Sequence, residues 1–207
     1  MNIKKLMPII IITVSVFTNS CGNDYSIEQK AYINSIEKHR NEKNETFKNS
    51  PNSPFNSRTK VEFHDLNYFD VNPEFVFKSK LFEYPIKDTI TIFGTKGEAR
   101  ETVRFGFLTF TFENKNYKMN VYESKSGENN KYYSLWFTDK TTNETTYGVG
   151  RYIDFQLNEN PEYEYTIDFN LAFNPYCAYS PDYSCAIPSK EDYLDLAIKA
   201  GEQKFHD

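Results

Sequence analysis

Two cysteines eight positions apart, Cys177 and Cys185, and one arginine inside an apolar run, Arg151, are the side chains whose types and spacing suit chemistry. The cysteines could close a disulfide around a loop of about nine residues, which contributes ~2.5 kcal/mol on a chain-entropy estimate. They could instead remain buried thiols, or act as a nucleophile or as metal ligands. Metal binding is disfavoured because His39, His64 and His206 are scattered and none sits at finger-like spacing from a cysteine. No histidine lies near either cysteine in sequence, which disfavours a thiol enzyme. Neither a metal nor an organic cofactor is expected. Arg151 alternates with Tyr147, Val149, Ile153 and Phe155, so one strand face is apolar except for a guanidinium. A buried arginine needs a carboxylate, and Asp168, Asp139 and Glu191 are the candidates. Two alternatives follow: an internal ion pair that fixes strand register, or an anion-binding arginine at the floor of a pocket. Asp168 and Asn170 alternate with Tyr163, Tyr165, Ile167 and Phe169, which places them opposite their own strand's apolar face. If each apolar face meets one core, Asp168 cannot reach Arg151, whereas a polar barrel interior would admit both.

The elements that must position these groups are mostly strands. Ile86, Ile90 and Ile92 alternate with Lys87, Thr89 and Thr91. Leu108, Phe110 and Phe112 alternate with Thr109, Thr111 and Glu113. Tyr117, Met119 and Val121 alternate with Lys118 and Asn120, and Asn114-Lys115-Asn116 joins these two runs as a hairpin. Further strands are predicted near Tyr132–Phe137, Thr145–Leu157 and Tyr163–Phe169. Sixteen Tyr and 18 Phe residues suit half-buried pleated surfaces. The expected fold is mainly β, an antiparallel sandwich or partly closed barrel with an N-terminal and a C-terminal helix.

Ser26 with Gln29 makes a capping box for a helix to about Phe47, with Ile27, Ala31 and Ile36 as a thin apolar stripe; a partly disordered spacer is the alternative. Ser189 and Asp192 make a second box for a C-terminal helix whose buried face is Leu194, Ala197 and Ile198, stopped by Gly201. Gly148 and Gly150 suit close packing or a bulge better than phosphate binding, since no helix follows them. Asn174-Pro175 and Ser180-Pro181-Asp182 are turn chemistry. Asp139 to Asn143 reads as a hairpin loop.

The first residues give the compartment. Two lysines precede Leu6–Phe17, an apolar run too short for the ~20 residues that cross a bilayer. Thr18-Asn19-Ser20-Cys21 resembles the lipobox of bacterial lipoproteins, departing from it at Thr18, where Leu is usual. That resemblance implies cleavage before Cys21 and acylation of that cysteine. The expected organisation is a signal peptide over 1–20, a tether and helix over 21–50, and one mainly-β domain over 51–207. The expected location is the cell envelope, anchored by lipid to a bacterial membrane on the periplasmic or outer-membrane side. Two or more acyl chains hold a protein stably where one does not, at ~0.8 kcal/mol per buried methylene. Without residues 1–20 the chain carries 22 basic and 29 acidic side chains, a net charge of −7. That balance supplies no counterion-release affinity for nucleic acid.

The segments FTDKTTNETTYGVGRYIDF, IDFNLAFNPYCAYSPDYSCAIP and AIKAGE, with Ser53-Pro54-Phe55 and LNYFDVNPEF upstream, closely resemble a bacterial family known as domain of unknown function 1684. The resemblance spans nearly the whole mature chain. It implies membership alongside many lipoproteins and implies no activity. One departure falls where relatives read Cys-Pro-Ile-Pro-Pro and Glu-Asn, since this chain has Cys185-Ala186-Ile187-Pro188-Ser189 and Glu191-Asp192. The expected function is ligand binding, for a small molecule or glycan anchored by Arg151, or an envelope-associated role. The alternatives are a hydrolase-like enzyme using carboxylates with Arg151, and a purely structural envelope protein.

Overall fold

Alternation of apolar and polar side chains along residues 86–121 becomes three antiparallel strands of one sheet in the computed structural model, which describes residues 25–126 and 130–206. The signal segment and Cys21 lie outside the described residues. The strands are β1 (Val76–Lys80), β2 (Phe82–Glu83), β3 (Thr89–Phe93), β4 (Ala99–Phe112), β5 (Lys115–Ser126), β6 (Asn130–Asp139), β7 (Arg151–Asp154), β8 (Glu164–Asp168) and β9 (Tyr193–Leu194). The larger sheet runs β2-β4-β5-β6-β7, with β3 also on β4 and β9 parallel to β6; β1 and β8 form a second, two-stranded sheet. No barrel closes among the described residues. The hairpin between β4 and β5 turns on Glu113 and Asn114, both at positive φ. It is therefore tighter than the expected Asn114–Asn116 loop, because two left-handed residues match the twist of the flanking strands.

The core lies between the two sheets. Leu108, Phe110, Met119, Val121, Leu135 and Phe137 of the larger sheet meet Ile167 of β8 and Phe75 and Phe169 beside the smaller one. A bulge between Arg104 and Gly106 shifts the parity of β4, which lets Phe105 join the face that Leu108 and Phe110 share. The opposite face of β5 and β6 buries Tyr122 and Trp136, whose rings stack at 4.5 Å.

Helix α1 (Ile27–Asn49) opens with the Ser26–Gln29 capping box. Its buried face is Ile36, Arg40 and Phe47, and Ile27 stays 84% exposed, so the stripe sits further along than Ile27 and Ala31 suggest. Phe47 enters an aromatic cluster with Phe55, Tyr179 and Phe205, which fastens the helix to the end of the chain. Arg40 lies over the Tyr68 ring at 4.5 Å.

Two sequence expectations are corrected. The strand expected over Thr145–Leu157 is only Arg151–Asp154, because residues 141–146 fold into a turn held by Thr141 O and Gly150 sits at φ +100°. A Cβ on Gly150 would stand 2.5 Å from Phe137 O, so close packing explains that glycine. Among the described residues no C-terminal α-helix follows. Ser189 and Asp192 do form their capping box, but it caps a single 3-10 turn, Lys190–Asp192. After it, Leu194, Leu196, Ile198 and Ala200 are buried at alternate positions, a period of two that an extended segment satisfies and a helix does not.

Candidate functional site

Arg151 begins β7 opposite Phe137 on β6, and its side chain enters the core, 1% exposed. Nη2 donates to Asp139 Oδ2 at 2.8 Å and to Ile198 O at 2.9 Å; Nη1 donates to Ala200 O and, at 3.4 Å, to Glu202 O. The three acceptor carbonyls alternate along the extended C-terminal segment, whose geometry points every second C=O the same way. Asp139 Oδ2 also accepts the Ile198 amide at 3.3 Å. Burial lowers the pKa of Arg151, and the Asp139 charge opposes that shift. The guanidinium is thus a buried clasp on the last strand-like segment, and no ligand-facing surface remains to it. Arg151 faces inward and meets the carboxylate of Asp139.

Of the carboxylates weighed for Arg151, only Asp139 meets it. Asp168, opposite Val76 in the β1–β8 pair, is buried because α1 covers that face: the Tyr32 hydroxyl donates to it at 2.8 Å, and the Asn170 amide at 2.9 Å. Asn170 in turn bonds both N and O of Asn72, so Asp168 and Asn170 join helix to sheet and face neither a barrel interior nor Arg151. Glu191 is at the surface, 2.7 Å from Arg104. Arg151, Asp168 and Glu191 therefore occupy three separate networks. Among the described residues, no group of three or more His, Cys, Asp or Glu is arranged to hold a metal.

Cys177 and Cys185 do come together. The Cys177 amide donates to Cys185 Sγ at 3.2 Å, and both residues are half-buried thiols. The Cys185 thiol lowers the pKa of Cys177 and is itself raised in return; the Tyr147 hydroxyl, 3.8 Å from Cys177 Sγ, adds to the first effect.

Two further buried carboxylates carry clusters that the linear sequence does not announce. Asp192 accepts from Asn120 Nδ2 (3.0 Å), Tyr122 OH (2.7 Å), Trp136 Nε1 (3.3 Å), and the amide and hydroxyl of Ser189 (both 2.8 Å). An acceptor-only group suits five donors; an asparagine would turn N–H groups toward some of them, so aspartate fits this position. Glu202, 1% exposed, accepts from Lys43 Nζ (2.6 Å), Asn174 N (2.9 Å) and Tyr179 OH. Burial, then the Glu202 charge, pushes the Tyr179 phenol far up. A polar position in a period-two apolar run is a signal that could flag Glu202, but its partners on α1 and at residues 174–179 come from remote sequence.

The open concavity lies elsewhere. A cleft of about 580 Å³ separates α1 from β7 and β8. His39, Glu42 and Lys43 line it from the helix, and Asp154 and Asp168 from the strands. Leu171, Phe173 and Tyr176 contribute apolar surface, Leu171 and Tyr176 being 38% and 40% exposed. Lys43 is held by Glu202 and sits 4.8 Å from the Phe173 ring centroid, so its charge is largely neutralised. Asp154 is exposed and near Tyr176, whose phenol is raised by burial, then by Tyr183 and Asp154. The cleft thus offers aromatic surface beside hydrogen-bond acceptors.

The fold has a counterpart of known structure. The solution NMR structure of an uncharacterised protein of Haloarcula marismortui matches 85% of this chain and 96% of its own, with a TM-score of 0.61 at 25% sequence identity. No curated protein matches the chain. A family model matches residues 61–203, from just before the first strand past the carbonyls that Arg151 clasps; the chain belongs to the family described as protein of unknown function (DUF1684).

Proposed function

We propose that the protein is a lipid-anchored module of a bacterial cell envelope that binds a small polyhydroxylated ligand, a sugar or short glycan, in the cleft between α1 and β7–β8. The observation that carries this reading is the pairing of aromatic and aliphatic surface, exposed at Tyr176 and Leu171 and half-buried at Phe173, with the carboxylates of Asp154 and Glu42. A sugar ring has an apolar face for such rings and hydroxyl donors for such acceptors, and binding sites commonly combine apolar walls with a few placed polar groups. Anchoring rests on the lipobox-like Thr18–Cys21 segment and on the short spacing from Cys21 to α1, which forms one wall of the cleft.

Native mass spectrometry of the full chain in detergent, against neutral oligosaccharides, tests binding. Adducts are expected, and they should weaken at least about tenfold in Tyr176→Ala and in Asp154→Asn while folding changes by under about 1 kcal/mol, as surface substitutions usually do. The absence of adducts, or equal binding by both variants, would overturn the glycan reading and leave a structural role. Cys21→Ser tests the anchor separately: release from the membrane fraction is expected, and membrane retention at unchanged mass refutes acylation there.

A further inference from the structure

Cys177 lies in the 3-10 turn Tyr176–Ala178, directly after an aromatic residue of the cleft. Cys185 is fixed by the β3–β4 turn: its carbonyl accepts the Thr95 amide at 3.0 Å, and its amide donates to Thr95 Oγ1 at 3.2 Å. The loop between them is closed at both ends without a covalent bond. Tyr179 reaches Glu202, and Asp182 accepts from Ser57 Oγ at 2.8 Å and from the Thr59 amide and hydroxyl. Within this frame the Cys177 amide donates to Cys185 Sγ at 3.2 Å, and the Tyr147 hydroxyl stands 3.8 Å from Cys177 Sγ.

We propose that Cys177 and Cys185 are a reversible dithiol–disulfide pair, oxidised by exchange with an external disulfide, with Cys177 the attacking thiol and Cys185 the resolving one. The order rests on the Tyr147 hydroxyl, which donates to Cys177 Sγ at 3.8 Å and favours its thiolate, in line with the lowered pKa of Cys177 and the raised one of Cys185. The Cys177 thiolate attacks one sulfur of the external disulfide, forming a mixed disulfide and expelling one thiolate. Cys185 then loses its proton, attacks Cys177 Sγ and expels the second thiolate. Two protein thiols give up two hydrogens in total, and one external disulfide becomes two thiols. This site is independent of whether the cleft binds sugars.

The full chain, reduced and then equilibrated with oxidised and reduced glutathione, is to be acid-quenched, alkylated and mapped by peptide mass, which keeps Cys21 distinct. A Cys177–Cys185 cross-linked peptide that dithiothreitol abolishes is expected. Cys185→Ser should trap glutathione on Cys177, and Cys177→Ser should take up glutathione on Cys185 at least about tenfold more slowly, following thiolate availability. Full alkylation of both cysteines after oxidation, or separate glutathione adducts on each without a bridge, would overturn the pair. Faster uptake by Cys185 than by Cys177 would overturn the assigned order.

Discussion

Replacing Arg151 with methionine leaves Asp139, whose side chain has no exposed surface, as a buried carboxylate without its counter-charge. Breaking one side of a buried pair costs ~3–5 kcal/mol. The carbonyls of Ile198 and Ala200 also lose their donor, at roughly 1 kcal/mol each. All these bonds share one guanidinium and are not additive, so the expected total is about 4–5 kcal/mol. With a urea dependence near 2 kcal/mol per M for a domain of this size, the midpoint should fall by about 2 M. The partner change Asp139→Leu should cost a similar amount. The double variant should recover part of the loss, with a coupling energy of at least about 2 kcal/mol. Recovery should stay incomplete, because Asp139 also accepts the Thr141 amide at 2.8 Å and the Ile198 amide. The assay is equilibrium unfolding followed by near-UV circular dichroism, with oligosaccharide binding measured on the folded fraction. A single variant whose midpoint stays within about 0.5 M of the parent would refute the clasp. Loss of binding by a stable double variant would refute its separation from the cleft.

Two further outcomes follow from other groups. Gly201 has φ +77°, and a Cβ there would lie 2.6 Å from the carbonyl oxygens of Ala172 and Phe169; Gly201→Ala should cost at least ~1–3 kcal/mol, or about 5–10 °C in melting temperature, and an unchanged melting point would contradict this packing. Hydrogen bonds from the Thr59 amide, then the Ser57 hydroxyl, lower Asp182 to about 2. A lowered carboxylate stabilises the fold above its unfolded pKa of ~3.9 and loses that contribution as pH falls through the folded value. Melting temperatures measured between pH 4 and pH 2 should therefore fall less steeply in Asp182→Asn than in the parent, and identical slopes would refute the assignment.

Local pattern is legible where one face of an element meets one core. Leu108–Phe110 and Met119–Val121 declare their inward faces by alternation alone, and Ser26 declares the start of α1 by its reach to Gln29. Arg151 is legible as an inward charge for the same reason. Its partner is not, because choosing Asp139 over Asp168 requires the β6–β7 register and the knowledge that α1 covers β8. The end of the chain is misread for a different reason. Ser189 and Asp192 are sound capping chemistry, but a box fixes only the first turn. Pairing of Tyr193–Leu194 with β6 and the hold of Arg151 on alternate carbonyls then take up backbone groups that a helix would bond internally. The cleft is invisible in one dimension because its walls, α1 and β7–β8, are far apart along the chain.

The C-terminal segment is where these networks meet, and each of its polar contacts is solved differently. Asp192 relies on neutral donors from β5 and β6, the carbonyls from Ile198 to Glu202 rely on a buried guanidinium, and the Glu202 carboxylate relies on an ammonium from α1. The Lys43–Glu202 bond matters most for the cleft, because it fixes the helical wall to the same segment that Arg151 fixes to the sheet. Helix α1 has a thin apolar face and two buried apolar side chains, Ile36 and Phe47, so burial alone holds it weakly. Its position over β8 depends on polar ties at three heights: Tyr32 to Asp168, Arg40 to Phe69 O, and Lys43 to Glu202. The aromatic core that the two sheets share does not include the helix, so these ties, with the Phe47 cluster, are what hold that wall of the cleft in place.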